Sequence, residues 1–350
     1  MWAILDKHQT LSPVGANAVY DLIKTLTETW GPSGYEHHVR ERIMEEVADL
    51  CDEMTVDGLG NLICKVGSGG KRIMMAAHMD EIGLMANYTE PKTGYLRFTG
   101  IGGIYQNSLF GNRVMFEDGT IGVIGGEDVI GKGRTSIPGL DGFFIDTEDE
   151  TGQQRVSEGQ PCSMWRETTR RGGRVIGKAM DDRIGCVVAI EAMRKLNRQA
   201  PNECVFVFTV QEEVGVRGAR AAAYGVDPDI GIALDVTATG DEIHNRKMAV
   251  KLGGGAAIKI HDTSLIVPPA IINWMVNRAE ADGIPYQREL LVGGGTDGSA
   301  IQVARAGVPT GCISIPLRYV HTTSETADLN DVQACIDLLA GLLSNPAALD

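Results

Sequence analysis

Across residues 18–50 the apolar positions recur at helical spacing, first Val19, Leu22, Ile23 and Leu26, then Val39, Ile43, Met44, Val47 and Leu50. Gly31-Pro32-Ser33-Gly34 interrupts the period, which predicts two helices. Residues 61–66 and 73–77 are apolar runs of strand length, and the second leads directly into His78. From residue 83 to 172 the pattern changes: short β-like runs at 95–98, 113–116, 121–124 and 143–145 are separated by glycines, with no helical period. From Arg174 onward strands and helices alternate. Strands are expected near Val175, at 204–210, at 230–235, near Ile258, at 287–292 and at 310–315. Helices are expected at 182–196, up to Tyr224, at 268–282, at 299–306 and at 329–343.

This order predicts an α/β protein with a mostly parallel sheet covered by helices on both faces, interrupted by a small β insert. The expected division is a discontinuous α/β domain, residues 1–82 and 173–350, around an insert at 83–172. Ligands of such sheets collect outside the carboxyl ends of the strands. At 350 residues, more than one core is expected.

The net charge of −14 argues against nucleic acid and anionic membranes as partners, because phosphate binding needs a basic surface. The seven cysteines are odd in number, scattered and without a C-x-x-C pair, so neither a disulfide frame nor a zinc finger is expected. The N-terminus has no basic region followed by an apolar stretch, and no run approaches the ~20 apolar residues of a membrane span. A reducing, cytoplasmic setting follows as the expectation.

Chemistry concentrates where apolar runs stop. His78 ends one run, and Asp80 is placed to accept its other ring N–H. Asp181-Asp182 opens a helix; it reads either as a cap and first-turn acid, or as a carboxylate bridging two metals with Asp181 as the bridge. Glu212-Glu213 directly follows an apolar strand, where adjacent carboxylates repel unless a cation or proton compensates. One as ligand and one as general base resolves that conflict. Asp235 closes Gly231-Ile232-Ala233-Leu234, and His321 follows Tyr319-Val320. Two imidazoles and three carboxylates, His78, Asp181, Glu213, Asp235 and His321, suit Zn, Co or Mn better than Ca or Mg. A hydrolase with two divalent ions is the expectation.

The chain resembles the cytoplasmic metallo-aminopeptidases that include bacterial glutamyl aminopeptidase and the archaeal tetrahedral aminopeptidases. The resemblance is carried by Gly31-Pro-Ser-Gly-Tyr-Glu36, Ala77-His-Met-Asp-Glu-Ile-Gly83, Phe98-Thr-Gly-Ile-Gly-Gly103 and Lys178-Ala-Met-Asp-Asp-Arg-Ile-Gly185. It continues through Val210-Gln-Glu-Glu-Val-Gly215, Ala233-Leu-Asp-Val236, Gly294-Gly-Thr-Asp297 and Arg318-Tyr-Val-His321. It implies a zinc-peptidase-like core interrupted by a PDZ-like β-barrel. It further implies one metal held by His78, Asp181 and Asp235 and another by Asp181, Glu213 and His321. Asp80 would support His78, and Glu212 would be the general base for a metal-bridging water attacking N-terminal residues of short peptides. Homo-oligomers, including tetrahedral dodecamers, are implied as well.

Other features are read more plainly. Gly293–Gly298 formally matches G-x-G-x-x-G but comes late and lacks a following acid, so it is expected to be a pocket loop that brings Thr296 and Asp297 near a peptide. Gly67-Ser-Gly-Gly-Lys71 is expected to be a hairpin loop. His37-His38, His8, His244 and His261 read as structural or solvated, and Arg318 as paired with an acid. The glycine-rich stretches 125–135 and 136–141 carry no specificity signature. A carboxypeptidase or N-acyl amino acid deacylase would share the metals but need a basic subsite. A non-catalytic assembly or peptide-binding protein is the alternative from another class.

Overall fold

The computed structural model describes residues 13–127, 137–147, 156–243 and 247–349. His8, His244 and residues 128–136 of the glycine-rich stretch lie outside them. Helices α1 (Pro13–Glu28) and α2 (His37–Val47) flank the predicted break. Strands β1 (Glu53–Val56), β2 (Leu62–Val66) and β3 (Arg72–His78) follow. After the barrel come β10 (Thr169–Arg171), β11 (Arg174–Gly177), α3 (Met180–Leu196), β12 (Glu203–Thr209), α4 (Arg217–Val226) and β13 (Ile230–Thr237). The chain ends with β14 (Ala256–His261), α5 (Pro269–Asp282), β15 (Tyr286–Leu290), α6 (Asp297–Gln302), β16 (Thr310–Arg318), β17 (Glu325–Asp328) and α7 (Leu329–Leu343).

One sheet runs in the order β1-β2-β12-β3-β13-β16-β17-β11-β10, with β14 and β15 attached beside β16. Its centre, β12-β3-β13-β16, is parallel, and antiparallel strands flank it on both sides. Residues on β3 alternate between two apolar layers. Ile73, Met75 and Ala77 join the core that includes the buried faces of α1, α2, α3 and α7, whereas Met74 and Ala76 meet Ala222, Ala223 and Ile301 on the other face. Burial on both faces is why these strands read as continuous apolar runs. The loop Gly67–Lys71 is not a hairpin, because β12 lies between β2 and β3. It crosses the end of β12 instead, close enough that a Cβ on Gly67 would meet the Asn202 carbonyl at 2.5 Å.

Between β3 and β10 the chain forms a closed barrel in the order β4-β5-β8-β7-β6-β9, from β4 (Gly83–Thr89), β5 (Leu96–Ile101), β6 (Arg113–Phe116), β7 (Ile121–Gly126), β8 (Phe143–Asp146) and β9 (Pro161–Trp165). Its own core is built from Leu84, Phe98, Val114, Phe116, Phe143 and Ile145. Closure leaves no free edge to pair with another chain. The pattern missed β4 and β9. In β9 four of the five residues are buried, so there is no alternation to see.

Arg183 ties the helical side together. Its guanidinium is fully buried and donates to the carbonyls of Leu26 at 2.6 Å, Thr29 at 2.9 Å, Gly31 at 3.0 Å and Met79, with Glu81 Oε1 at 3.3 Å. Lys178 reaches Glu81 Oε2 at 2.6 Å. The end of α1, the Gly31–Gly34 turn and the segment after β3 are therefore fastened to the first turn of α3. Replacing Arg183 with methionine leaves several buried carbonyls without a donor, each costing ~1–3 kcal/mol. Arg183→Met should lower stability by about 3–5 kcal/mol in calorimetry, and Arg183→Lys should restore little, because a point ammonium cannot span the fork. A loss below about 1 kcal/mol in Arg183→Met would show that the network does not hold these segments.

Candidate metal centre

The parallel register places Thr209 opposite His78, so the carboxyl ends of β3 and β12 share one rim. Asp235 lies inside β13, two positions before its end, and Asp181 sits in the first turn of α3 rather than at a strand end. The cap expectation for Asp181-Asp182 holds only for the second residue. Asp182 accepts from the backbone N–H groups of His78 at 3.1 Å and Gly185 at 3.1 Å, whereas Asp181 presents its carboxylate to the cavity; the backbone is non-helical at both.

Each histidine is fixed by a carbonyl. His78 Nδ1 donates to the Asp80 carbonyl at 3.1 Å, and His321 Nδ1 donates to the Gly103 carbonyl at 2.9 Å. A carbonyl only accepts, so Nδ1 carries the proton and Nε2 is left to face the carboxylates. His78 Nε2 lies 3.1 Å from Asp181 Oδ1, and His321 Nε2 lies 3.3 Å from both Asp181 Oδ2 and Glu213 Oε1. Asp181 thus places one oxygen towards each imidazole. Ligand atoms about 2.0–2.1 Å from a tetrahedral ion lie about 3.3 Å from one another. His78, Asp181 and Glu213 offer ligand atoms within 4.8 Å of one another, a group that could hold a metal ion.

Asp80 serves more than the histidine. Its carboxylate is 3.5 Å from His78 Nδ1, farther than its own carbonyl. It accepts from Ser33 Oγ at 2.6 Å and from the backbone N–H groups of Glu212 at 3.0 Å and Glu213 at 3.1 Å. One carboxylate therefore positions the Glu212-Glu213 pair as well as the turn after β3. Glu325, which no sequence pattern singled out, has the matching task on the other side. It accepts from the N–H groups of Met180 at 2.6 Å, Asp181 at 3.2 Å and His321 at 2.7 Å. Its only sequence signal is an acid four residues past a candidate ligand.

Electrostatics separates the acids. Burial pushes Asp182, Glu212 and Asp235 well above the usual carboxylate range, and Asp235 is pushed further by Asp181. Burial would lower His321, but its contacts with Asp181 and Glu213 outweigh that and push it up to about 12. Protons and divalent ions compete for such space, since metal binding displaces protons from its ligands. Glu213 Oε1 is buried with no aligned hydrogen bond, as expected of an oxygen aimed at a cation.

These groups open onto a cavity of about 620 Å³ lined by Asp181, Glu212, Glu213, Asp235 and His321. Tyr105, from the insert, also lines it, as do Gly293–Gly295, Thr296 and Ser299. Asp297 does not line it: its carboxylate is buried and accepts from Thr209 Oγ1 at 2.5 Å, so of the two residues expected near a peptide only Thr296 lines the cavity. Arg318 is paired with Asp241 at 2.6 Å. No lysine or arginine lines the cavity among the described residues.

Residues 60–338 match the family model of M42 glutamyl aminopeptidase. The chain is 33% identical to the lysyl aminopeptidase of Pyrococcus furiosus, with 95% of this chain and 98% of that one covered. It superposes on aminopeptidase APDkam598 of the archaeon Desulfurococcus kamchatkensis with a TM-score of 0.88 and 36% identity, covering 94% and 95% of the two chains. It also superposes on the TET1 peptidase of Pyrococcus horikoshii, which can assemble into a tetrahedron or a large octahedral shell. There the TM-score is 0.83 at 34% identity, covering 93% of this chain and 99% of that one. The chain belongs to the M42 glutamyl aminopeptidase family and is a hydrolase of peptide bonds.

Proposed function

We propose that this enzyme is an aminopeptidase with two divalent ions, removing N-terminal residues from short peptides. The observation that carries the reading is the cavity: Asp181, Glu212, Glu213, Asp235 and Glu242 line it, and no described lysine or arginine does. An acidic bowl attracts the α-ammonium group of a peptide. A carboxypeptidase or deacylase would need a cation for the substrate carboxylate, and Arg318 is engaged with Asp241. His78, Asp181 and Asp235 would hold one ion, and Asp181, Glu213 and His321 the other. When bound, Zn, Co or Mn ions supply Lewis acidity towards the scissile carbonyl and lower the pKa of water.

Glu212 lines the cavity, and its backbone is held by Asp80. Its carboxylate takes the proton of the attacking water and returns it to the leaving amine. Asp80 and Glu325 act through backbone N–H groups, keeping Glu212, Glu213, Asp181 and His321 in one arrangement. The barrel, read as an insert at 83–172 between catalytic segments 1–82 and 173–350, supplies the Gly103 carbonyl and Tyr105 and serves as a lid and assembly surface. Homo-oligomerisation, to a tetrahedral dodecamer, accords with exposed apolar side chains such as Ile266, Leu290, Val292 and Val303. A cytoplasmic location accords with seven cysteines that are all free. No helix of the described residues is long and apolar enough to cross a membrane.

Metal-stripped protein should regain cleavage of free aminoacyl-p-nitroanilides when Zn or Co is added, and should leave their N-acetylated counterparts intact. Cleavage of the acetylated set would move the assignment to a deacylase. Glu212→Gln should lose roughly 10²–10⁴-fold in rate while its metal content, measured by mass spectrometry, stays at the wild-type level. A variant that kept its rate would remove Glu212 from the chemistry. Divalent ions at about 100 times their dissociation constant should stabilise the fold by about 2.7 kcal/mol. That gain should disappear in Asp181→Asn, and its persistence in a calorimetric scan would argue against Asp181 as the shared ligand.

A further inference from the structure

The joint between the barrel and the α/β body carries a second group of side chains that could hold a metal ion, none of them lining the cavity. His37 and His38 begin α2, and Glu117 sits in the turn between β6 and β7. Glu117 Oε1 lies 2.8 Å from His37 Nε2 and 3.3 Å from His38 Nε2, and the three ligand atoms fall within 4.8 Å of one another. Neighbouring residues on a helix usually point apart, yet these two rings are brought to 4.2 Å between centroids. Trp30 holds them there, edge-on to both at 6.3 and 5.9 Å. Its indole N–H donates to the Met115 carbonyl at 2.9 Å, so the same tryptophan fixes the barrel strand that leads to Glu117.

We infer that His37, His38 and Glu117 form a transition-metal site that clamps the barrel to the α/β body. Two imidazoles and a carboxylate suit zinc, copper(II) or nickel rather than calcium or magnesium. The His38–Glu117 separation is already close to the about 3.3 Å between ligands of a tetrahedral ion, and His37 needs to open by only a few tenths of an ångström. The side chains are 37%, 43% and 47% exposed, so an ion reaches them from solvent and water completes its coordination. The first turn of a helix is positive and opposes a cation, by ~0.3–1 kcal/mol at an exposed site; the Glu117 carboxylate offsets that. The simpler alternative is a metal-free contact in which both ring N–H groups donate to Glu117.

Clamping matters because the barrel delivers the Gly103 carbonyl to His321 and Tyr105 to the cavity. An ion at the joint would fix that delivery without touching the substrate.

The test is to equilibrate the full-length protein with zinc, remove free ion by gel filtration and count equivalents by mass spectrometry. His37→Asn/His38→Asn and, separately, Glu117→Ala should each hold one equivalent less per chain than wild type. Cleavage of a free aminoacyl anilide should in both match wild type at low temperature, where the Trp30 and Gly103 contacts hold the barrel, and should be lost at a lower temperature than in wild type on heating. Glu117→Ala lies in an exposed turn, so it keeps the comparison valid if the double variant folds poorly. In copper-loaded protein, electron paramagnetic resonance should show, besides the signal of the cavity histidines, a second nitrogen-coordinated component that is lost in the double variant. Equal zinc content in wild type and both variants would overturn the site and leave the hydrogen-bonded contact.

Discussion

Uncompensated negative charge at the carboxyl rim of the sheet is the constraint around which the molecule is arranged. Burying a carboxylate without a partner costs several kcal/mol, yet Asp80, Glu81, Asp181, Asp182, Asp235 and Glu325 are all buried there. The fold divides them by how each is satisfied. Glu81 has Lys178 and Arg183, whereas Asp80, Asp182 and Glu325 accept backbone N–H groups. Asp181, Glu213 and Asp235 face the cavity beside two imidazoles whose outward nitrogens are kept from backbone partners. The first set fixes the backbone, and the second lines the cavity, with Asp235 also accepting the Val236 N–H at 2.7 Å.

That division explains what could be read from the chain alone. His78, Asp181, Glu212, Glu213, Asp235 and His321 stand out because polar residues ending apolar runs are visible in one dimension. Five of them, Asp181, Glu212, Glu213, Asp235 and His321, line one cavity, with His78 in contact with Asp181. Glu325 and Arg183 were invisible as site residues because their partners are backbone atoms from remote segments. The antiparallel flanks β1, β10 and β17 are short, and β17 carries three buried residues in four, so neither length nor alternation marks them. The loop Gly67–Lys71 was misjudged for a related reason, since local composition cannot reveal that β12 inserts between β2 and β3. Asp297 was misplaced because its orientation depends on Thr209 of a distant strand.

Of nine non-glycine residues with left-handed φ among the described residues, five cluster at this rim. Ala179, Gln211, Val216, Tyr319 and His321 adopt left-handed φ values between 48° and 62° although none is glycine. Such residues cost of order 1–3 kcal/mol each and persist where their surroundings hold them. All five lie next to Asp181, the Glu212-Glu213 pair or His321, where Asp80 and Glu325 bind the backbone. The rim is held in a conformation that its own chain does not favour, by acids that are not themselves presented to the cavity.

The barrel meets the body through main-chain oxygens at two decisive points, the Gly103 carbonyl on His321 and the Met115 carbonyl on Trp30. A peptide carbonyl is present whatever side chain its residue bears, which frees position 115, but a Cβ at Gly103 would meet His321 Nδ1 at 2.9 Å, so that position is confined to glycine. Barrel sequences can therefore diversify in loops and surfaces away from Gly103, while the cavity keeps the acceptor that fixes His321 and the body keeps the one that holds Trp30. Descendants of this architecture are free to acquire new assemblies and new substrates by mutation in one module without reinventing the chemistry in the other.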